Sequence, residues 1–395
     1  MIRIKKRKFK ISTEDILWFL ILIFYFESQY LARFSILSTL YTGGKLLSIG
    51  FILFHIRKFH FNSIMAVIFL EEVALWISTL LAGASMMSVS TQVISVTAFI
   101  IVIDIMLKED TKRCIRILYT IMALLIYINV LSMLFFPNGL YTVTGVVGTR
   151  KYYFLGHQNS LGLYATIAIA LGEFRLEIED EDKFNLSRLI FLEIVSLFYI
   201  LRVWSVISLL SVAGIIAITF FNRLNKKGWH LSLVWSLVFN AVIFIVFVAL
   251  QNFEMISSFL EEVLNREATL SGRTTVWAIA LKYFLNNPIW GVGQGKGYEI
   301  FGFATTHNRY VNTIFTGGLI GISLLVILLV AICRRLKNSK ESMTKILIAY
   351  FTIFLFIIQG ETFDDILFYL MFIFVCNVQY LVKAKKIYRE NPHIV

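Results

Sequence analysis

Charge is scarce in this sequence, at 16% of 395 residues, and so are proline and cysteine, with three of each. The shortage of charge excludes a soluble domain. With 58% hydrophobic residues and a mean hydropathy of +0.77, a chain this long has too little polar surface to face water. The period-two alternation of a membrane β-barrel is also missing, because the apolar runs are continuous. Cys114, Cys333 and Cys376 fall within apolar runs or at their cytoplasmic ends, so disulfides are not expected. No A-x-A cleavage site follows the basic start and first apolar run, which predicts an uncleaved first span. The few prolines beside many Phe, Ile and Lys fit an AT-rich bacterial genome.

What is present is one apolar run after another. Crossing roughly 30 Å of hydrocarbon takes about 20 mostly apolar residues, and short polar breaks divide the chain into about a dozen such spans. They are expected near 14–32, 45–56, 62–82, 87–107, 114–135, 159–174, 188–201, 203–221, 230–250, 310–332, 346–360 and 365–382. The predicted fold is all-α: a single polytopic transmembrane helix bundle over residues 1–395.

The net charge of +12 acts through its placement. An even number of spans puts about 27 of the 37 Lys and Arg on the side of the N-terminus, in clusters such as Arg3 to Lys10, Lys112 to Arg116 and Arg334 to Lys345. Both termini are then cytoplasmic, in a bacterial plasma (inner) membrane. This basicity is accounted for by topology and anionic lipid, and calls for no nucleic acid.

Residues 251–308 form the one long connection, on the non-cytoplasmic side, and carry helical patterning of their own. Phe253, Ile256, Leu260, Val263 and Leu264 describe one amphipathic helix. Val276, Trp277, Ala280, Leu281, Phe284 and Leu285 describe a second, capped by Ser271 and stopped by Asn287-Pro288. Gly291-Val292-Gly293-Gln294-Gly295-Lys296-Gly297 fits no phosphate-loop register, and the expectation is a turn that lets the backbone approach another segment closely. A second outer loop, 136–159, carries Arg150, Lys151, His157 and Asn159. Outer cations, among them Arg150, Arg202, Arg273 and Arg309, run against the topological grain and would be explained by something anionic outside. Glu71, Glu72, Asp104 and Glu193 also lie in or near spans. The first two are candidate partners of a buried arginine, while Asp104 and Glu193 are expected to be wet. Glu361, Asp364 and Asp365, in the last outer turn, could bind sugar hydroxyls or pair with Arg or Lys, and the pairing is favoured.

Three stretches resemble the O-antigen ligase and polysaccharide polymerase superfamily of membrane glycosyltransferases. Gly156-His157-Gln158-Asn159-Ser160-Leu161-Gly162 is similar to its H-x-N-x-L-G. Gly272-Arg273-Thr274-Thr275-Val276-Trp277, followed by Asn287-Pro288-Ile289-Trp290-Gly291-Val292-Gly293, is similar to G-R-x-x-x-W and N-P-x-x-G-x-G. Thr306-His307-Asn308 with Gly317-Gly318-Leu319-Ile320-Gly321 is similar to its H-N and G-x-x-G elements. The chain departs from the family at Leu201-Arg202-Val203, where a Ser-Arg pair is usual.

The resemblance implies transfer of a glycan from a polyprenyl (undecaprenyl) pyrophosphate carrier to an acceptor hydroxyl at the outer membrane face, with no metal, cofactor or nucleotide sugar. Arg273, at a helix start where free N–H groups also favour an anion, suits the departing pyrophosphate. His307 suits the base, since a neutral histidine can take the acceptor's proton near neutral pH. Arg202, Arg150, His157, Asn159 and Arg309 are candidate substrate-binding residues. Displacement in one step would invert the anomeric carbon. Simpler roles compete: a snorkelling anchor for Arg273 and Arg202, and loop packing for His307 and His157. The leading expectation is a polymerase joining lipid-linked repeat units into a capsular, exopolysaccharide or O-antigen chain. It would work beside a flippase and a chain-length regulator. A ligase moving a glycan to a lipid, protein or wall acceptor is the close rival. A lipid-linked oligosaccharide transporter is the distant one, disfavoured because no internal repeat is evident.

Overall fold

The computed structural model describes residues 11–145, 148–157, 159–179, 183–224, 232–245, 273–302, 305–337, 341–363 and 365–390. The predicted helix over 253–264, together with Arg266, Ser271 and Asp364, lies outside them. Helices α1 (Thr13–Ile23), α2 (Ser35–Gly44), α3 (Leu47–His55), α4 (Ser63–Leu81), α5 (Met86–Glu109) and α6 (Thr111–Phe135) lead to three strands. These are β1 (Tyr141–Gly145), β2 (Gly148–Tyr153) and β3 (Gly156–His157). Then come α7 (Ser160–Ile178), α8 (Lys183–Val203), α9 (Val206–Leu224), α10 (Leu233–Phe244), α11 (Arg273–Asn286), α12 (Gly297–Phe301), α13 (Arg309–Leu336), α14 (Ser342–Ile357), α15 (Asp365–Cys376) and α16 (Val378–Glu390).

Among the described residues, six helical segments are long and apolar enough to cross a bilayer: Ser35–Lys58, α4, α5, α6, α9 and α13. The bent pair of α15 and α16, at 63° to one another, would make a seventh. The expected dozen is therefore not reached on length and composition. The expected span at 188–201 falls on α8, which carries Lys183, Arg188, Glu193 and Arg202, and that at 159–174 on α7, which carries Glu173, Arg175 and Glu177.

Helix α7 can hold those charges because it is the central post. Every residue from Leu161 to Leu176 is buried, against α6, α8, α9 and α14. Glu173 accepts from the Arg223 guanidinium of α9, with Nε to Oε2 at 3.1 Å, and Arg175 pairs with Glu179 at 3.3 Å. Gly162 lets α9 come close, since a Cβ there would stand 2.6 Å from Ser208 Oγ. Small residues at such crossings are how membrane helices gain contact without a hydrophobic driving force between them.

One end of the bundle gathers ion pairs: Arg116 with Asp15 at 2.5 Å, Lys58 with Glu109 at 2.8 Å, and Lys385 with Glu177. Near it Asp104 is fully buried, taking a hydrogen bond from Asn377 Nδ2 at 2.8 Å and pairing with Lys108 at 2.5 Å. The expectation that it is wet fails because α15 and α16 cover that part of α5.

The other end carries a feature that an all-α reading left out. β1, β2 and β3 form an antiparallel sheet in which Tyr141 faces Tyr152 and Tyr152 faces His157. Tyr-Thr-Val-Thr-Gly and Gly-Thr-Arg-Lys-Tyr-Tyr are β-branched and aromatic runs bounded by glycine, which is a hairpin signal in its own right.

Candidate active site at the sheet-bearing end

The N-P-x-x-G-x-G stretch is a backbone splice. Val292 N–H donates to Phe315 O at 2.9 Å, Gly293 N–H to Thr316 O at 3.0 Å, and Leu319 N–H to Pro288 O at 2.8 Å. The partner segment is where α13 breaks, at Gly318 with φ 61° and ψ −152°. A Cβ on Gly318 would meet Ile289 O at 2.4 Å, and one on Gly291 would meet Phe315 O at 2.5 Å. Two backbones therefore touch where any side chain would part them, as the glycine pattern led one to expect. Ser78 of α4 ties the splice to the bundle, donating toward Trp290 O at 2.5 Å and Thr316 O at 2.6 Å. Val276, Trp277 and Ala280 of α11 pack beneath it with Val292, Phe301, Val311 and Phe315. Leu281 and Leu285, expected on that apolar stripe, stay 39% and 73% exposed, so the buried face of α11 is narrower than its sequence suggests.

The splice delivers Thr306-His307-Asn308 to the head of α13. Asn308 caps the helix by accepting from Val311 N–H at 3.1 Å, and Trp277 Nε1–H donates to Thr306 O at 2.8 Å. Between these anchors His307 takes a left-handed φ of 54°. Among the described residues only Trp204, at 53°, shares this among non-glycines, and it sits in the tight reversal between α8 and α9. Residues over-determined into sparse backbone regions often belong to functional sites.

A chain of side chains then orients His307. Ser205 Oγ–H donates to Asn159 Oδ1 at 2.6 Å, and Ser208 Oγ–H to Asn159 O at 3.2 Å. This turns the Asn159 amide so that Nδ2–H donates to Glu361 Oε1, while Glu361 Oε2 lies 3.3 Å from His307 Nδ1. A carboxylate on Nδ1 holds the proton there and leaves the basic lone pair at Nε2, the arrangement of a histidine general base. Glu361 is therefore a site residue, paired with a histidine rather than with the Arg or Lys favoured for it from the sequence. Asn159, expected to bind substrate, is buried as the link between α7, α9 and Glu361.

Beside this chain, Arg150, Lys151, His157 and Arg202 line a cavity of about 600 Å³ with Thr149, Tyr153 and Pro137. No carboxylate lines it among the described residues. Arg150 Nη1 stands 3.3 Å from His157 Nε2, and Asn159 N–H donates to His157 Nδ1 at 3.5 Å. The cavity thus adjoins the chain that reaches His307. Tyr152 has Arg150, Tyr298 and Glu361 for electrostatic neighbours, and burial pushes its phenol pKa up.

Arg309 is elsewhere. Its guanidinium is buried 2.6 Å from Asp365 Oδ1, 3.8 Å from Glu71 and 4.1 Å above the Phe368 ring, which makes it a brace between α4, α13 and α15. Asp365 also accepts from Gln92 of α5. Arg273 opens α11, but its side chain falls outside what is described.

At one end of the helical bundle, then, a cationic cavity adjoins a carboxylate-held histidine. Residues 189–326, from α8 into α13, match the family model described as O-antigen ligase. No curated protein matches the chain. The family match and the motifs together support the O-antigen ligase and polysaccharide polymerase superfamily, and with it a membrane glycosyltransferase-type enzyme.

Proposed function

We propose that this protein is a polysaccharide polymerase that joins polyprenyl-pyrophosphate-linked repeat units at the outer face of a bacterial plasma membrane. Both termini are cytoplasmic in this reading, and residues 251–308 belong to the catalytic end. The observation that carries the proposal is the cationic cavity of Arg150, Lys151, His157 and Arg202, adjoining the Ser205–Asn159–Glu361–His307 chain.

The acceptor hydroxyl oxygen attacks the anomeric carbon of the lipid-linked glycan while His307 Nε2 takes its proton. The bond from that carbon to the pyrophosphate oxygen breaks, its electrons leave with the pyrophosphate, and the carbon inverts. Arg202 and Arg150 in the cavity, and Arg273 at the start of α11, receive the growing negative charge through paired N–H donors in a site of lowered dielectric. The step as written uses neither a metal nor a nucleotide sugar. A ligase would use the same donor chemistry with a different acceptor.

Deleting the gene separates the readings. Loss of a polymerase leaves single repeat units on the lipid carrier, facing outward. Completed chains stranded on the carrier indicate a ligase, and repeat units held on the cytoplasmic face contradict both. In purified protein, Arg202→Ala is expected to weaken binding of polyprenyl pyrophosphate about tenfold, with Lys a poor replacement because it lacks the planar fork.

A further inference from the structure

One face of the small sheet carries a row of rings. Alternation along the strands puts Tyr141 of β1, Arg150 and Tyr152 of β2, and His157 of β3 on one side, with Tyr152 directly opposite both Tyr141 and His157. Their rings continue as a row. Tyr30, from the segment after α1, stacks on Tyr141 with centroids 6.3 Å apart, and Tyr141 stacks on Tyr152 at 4.9 Å. Tyr152 meets His157 edge-on at 5.6 Å, and the Arg33 guanidinium lies 3.9 Å from the Tyr141 centroid. The Tyr30 backbone N–H also donates to Phe154 O, which fixes the row to the sheet. One end of this row is His157, which lines the cationic cavity. Tyr298 of α12, 67% exposed, is among the electrostatic neighbours of Tyr152.

Cross-strand aromatic pairs stabilise any sheet, and tyrosines gather at membrane interfaces, so stacking alone assigns no role. Three further points do. The rings lean on one another and on a guanidinium, which holds them in place before any ligand arrives and lowers the entropic cost of binding. Rings, phenol hydroxyls and a guanidinium together combine apolar contact with donors and acceptors. A sugar ring, with C–H faces and a rim of hydroxyls, needs that combination. Finally, the row runs from the cavity wall past Tyr152, whose electrostatic neighbours include Glu361, the partner of His307.

We propose that Tyr30, Tyr141, Tyr152 and Tyr298 form a saccharide subsite, holding pyranose rings of the glycan while its pyrophosphate occupies the neighbouring cavity. This rests on the reading of the cavity as the pyrophosphate site. The sugars come either from the donor, still attached to its carrier, or from the acceptor.

The test measures binding of three probes to the purified full-length protein. They are polyprenyl pyrophosphate without sugar, repeat units on polyprenyl pyrophosphate extracted from the producing cells, and the oligosaccharide released from these by mild acid. Tyr141→Ala and Tyr298→Ala are compared with wild type and with Tyr141→Phe. Tyr298 is exposed, so its replacement leaves packing intact. Bare polyprenyl pyrophosphate, whose binding should not change, reports that each variant is folded. The alanine variants are expected to bind the lipid-linked repeat about fivefold to tenfold more weakly, with most of the affinity kept in Tyr141→Phe. Loss confined to the released oligosaccharide places the acceptor on the row, and loss with the lipid-linked form places the donor there. Unchanged binding of both sugar-bearing probes, or equal loss for bare polyprenyl pyrophosphate, overturns the subsite. If Arg202→Ala leaves bare polyprenyl pyrophosphate binding intact, it is the cavity reading that fails, irrespective of the tyrosine results.

Discussion

Replacing Glu361 by glutamine isolates what the carboxylate does for His307. The new side chain is the same size and sits where Glu361 is 7% exposed, so packing changes little. Its orientation is dictated from the other side. Ser205 fixes the Asn159 amide so that its Nδ2–H points at position 361, and the glutamine must answer with its oxygen. Its NH2 group then faces His307 Nδ1 and donates to it. The imidazole proton is driven to Nε2, the atom that should accept the acceptor's proton, and the base is held in the wrong tautomer. General-base catalysis contributes about 10²–10⁴ in rate, so turnover should fall by that factor, or about 3–5 kcal/mol of barrier. Binding of the lipid pyrophosphate donor should stay near wild type, because the cavity residues are untouched. The assay is release of polyprenyl pyrophosphate by purified protein under saturating donor, with donor affinity measured separately. Near-normal turnover by Glu361→Gln would refute the dyad, and a loss of affinity without a loss of maximal turnover would make Glu361 a binding residue instead.

Other perturbations test the scaffold. Arg309→Ala strands Asp365 and Glu71 inside the bundle and should lower stability by about 3–5 kcal/mol, seen as a drop in thermal midpoint in detergent. A variant of normal stability that has lost donor affinity would return Arg309 to substrate binding. Gly318→Ala forces a Cβ onto the Ile289 carbonyl at a positive φ, for a cost of about 3 kcal/mol or more, whereas Gly50→Ala, with open space around it, should be neutral. Equal behaviour of the two would remove the splice as a structural necessity. A cysteine at Glu299 should react with an impermeant reagent on intact cells and one at Lys337 should not; the reverse pattern would invert the topology and remove the outer-face mechanism.

The helices were legible because continuous apolar runs leave a membrane chain little choice of backbone. Their number was harder to read. Apolar length does not separate α7, a charged helix buried on all sides, from a helix that faces lipid. The glycines at 291 and 293 announced a close backbone approach, but not that the segment approached would be the break at Gly318. His307 stood out by its motif, and its partner did not, because Glu361 lies 54 residues away and looks like any acid in a short turn. Arg309 misled for the opposite reason: an arginine at the head of a span reads as open to ligand, and only the folding of α4 and α15 against α13 reveals Glu71 and Asp365 beside it. The sheet was missed because strand signals of five or six residues are weak beside twenty-residue apolar runs.

The central claim is transfer from a lipid pyrophosphate with His307 as base. The most direct measurement reconstitutes wild type, His307→Gln and Arg273→Ala into liposomes with lipid-linked repeat units, and follows both glycan length and released polyprenyl pyrophosphate. Wild type should lengthen the glycan and release one carrier per bond formed. His307→Gln should bind the donor yet transfer at no more than about a hundredth of the wild-type rate, and Arg273→Ala should slow transfer on the order of a hundredfold. Near-normal transfer by both variants would contradict the account.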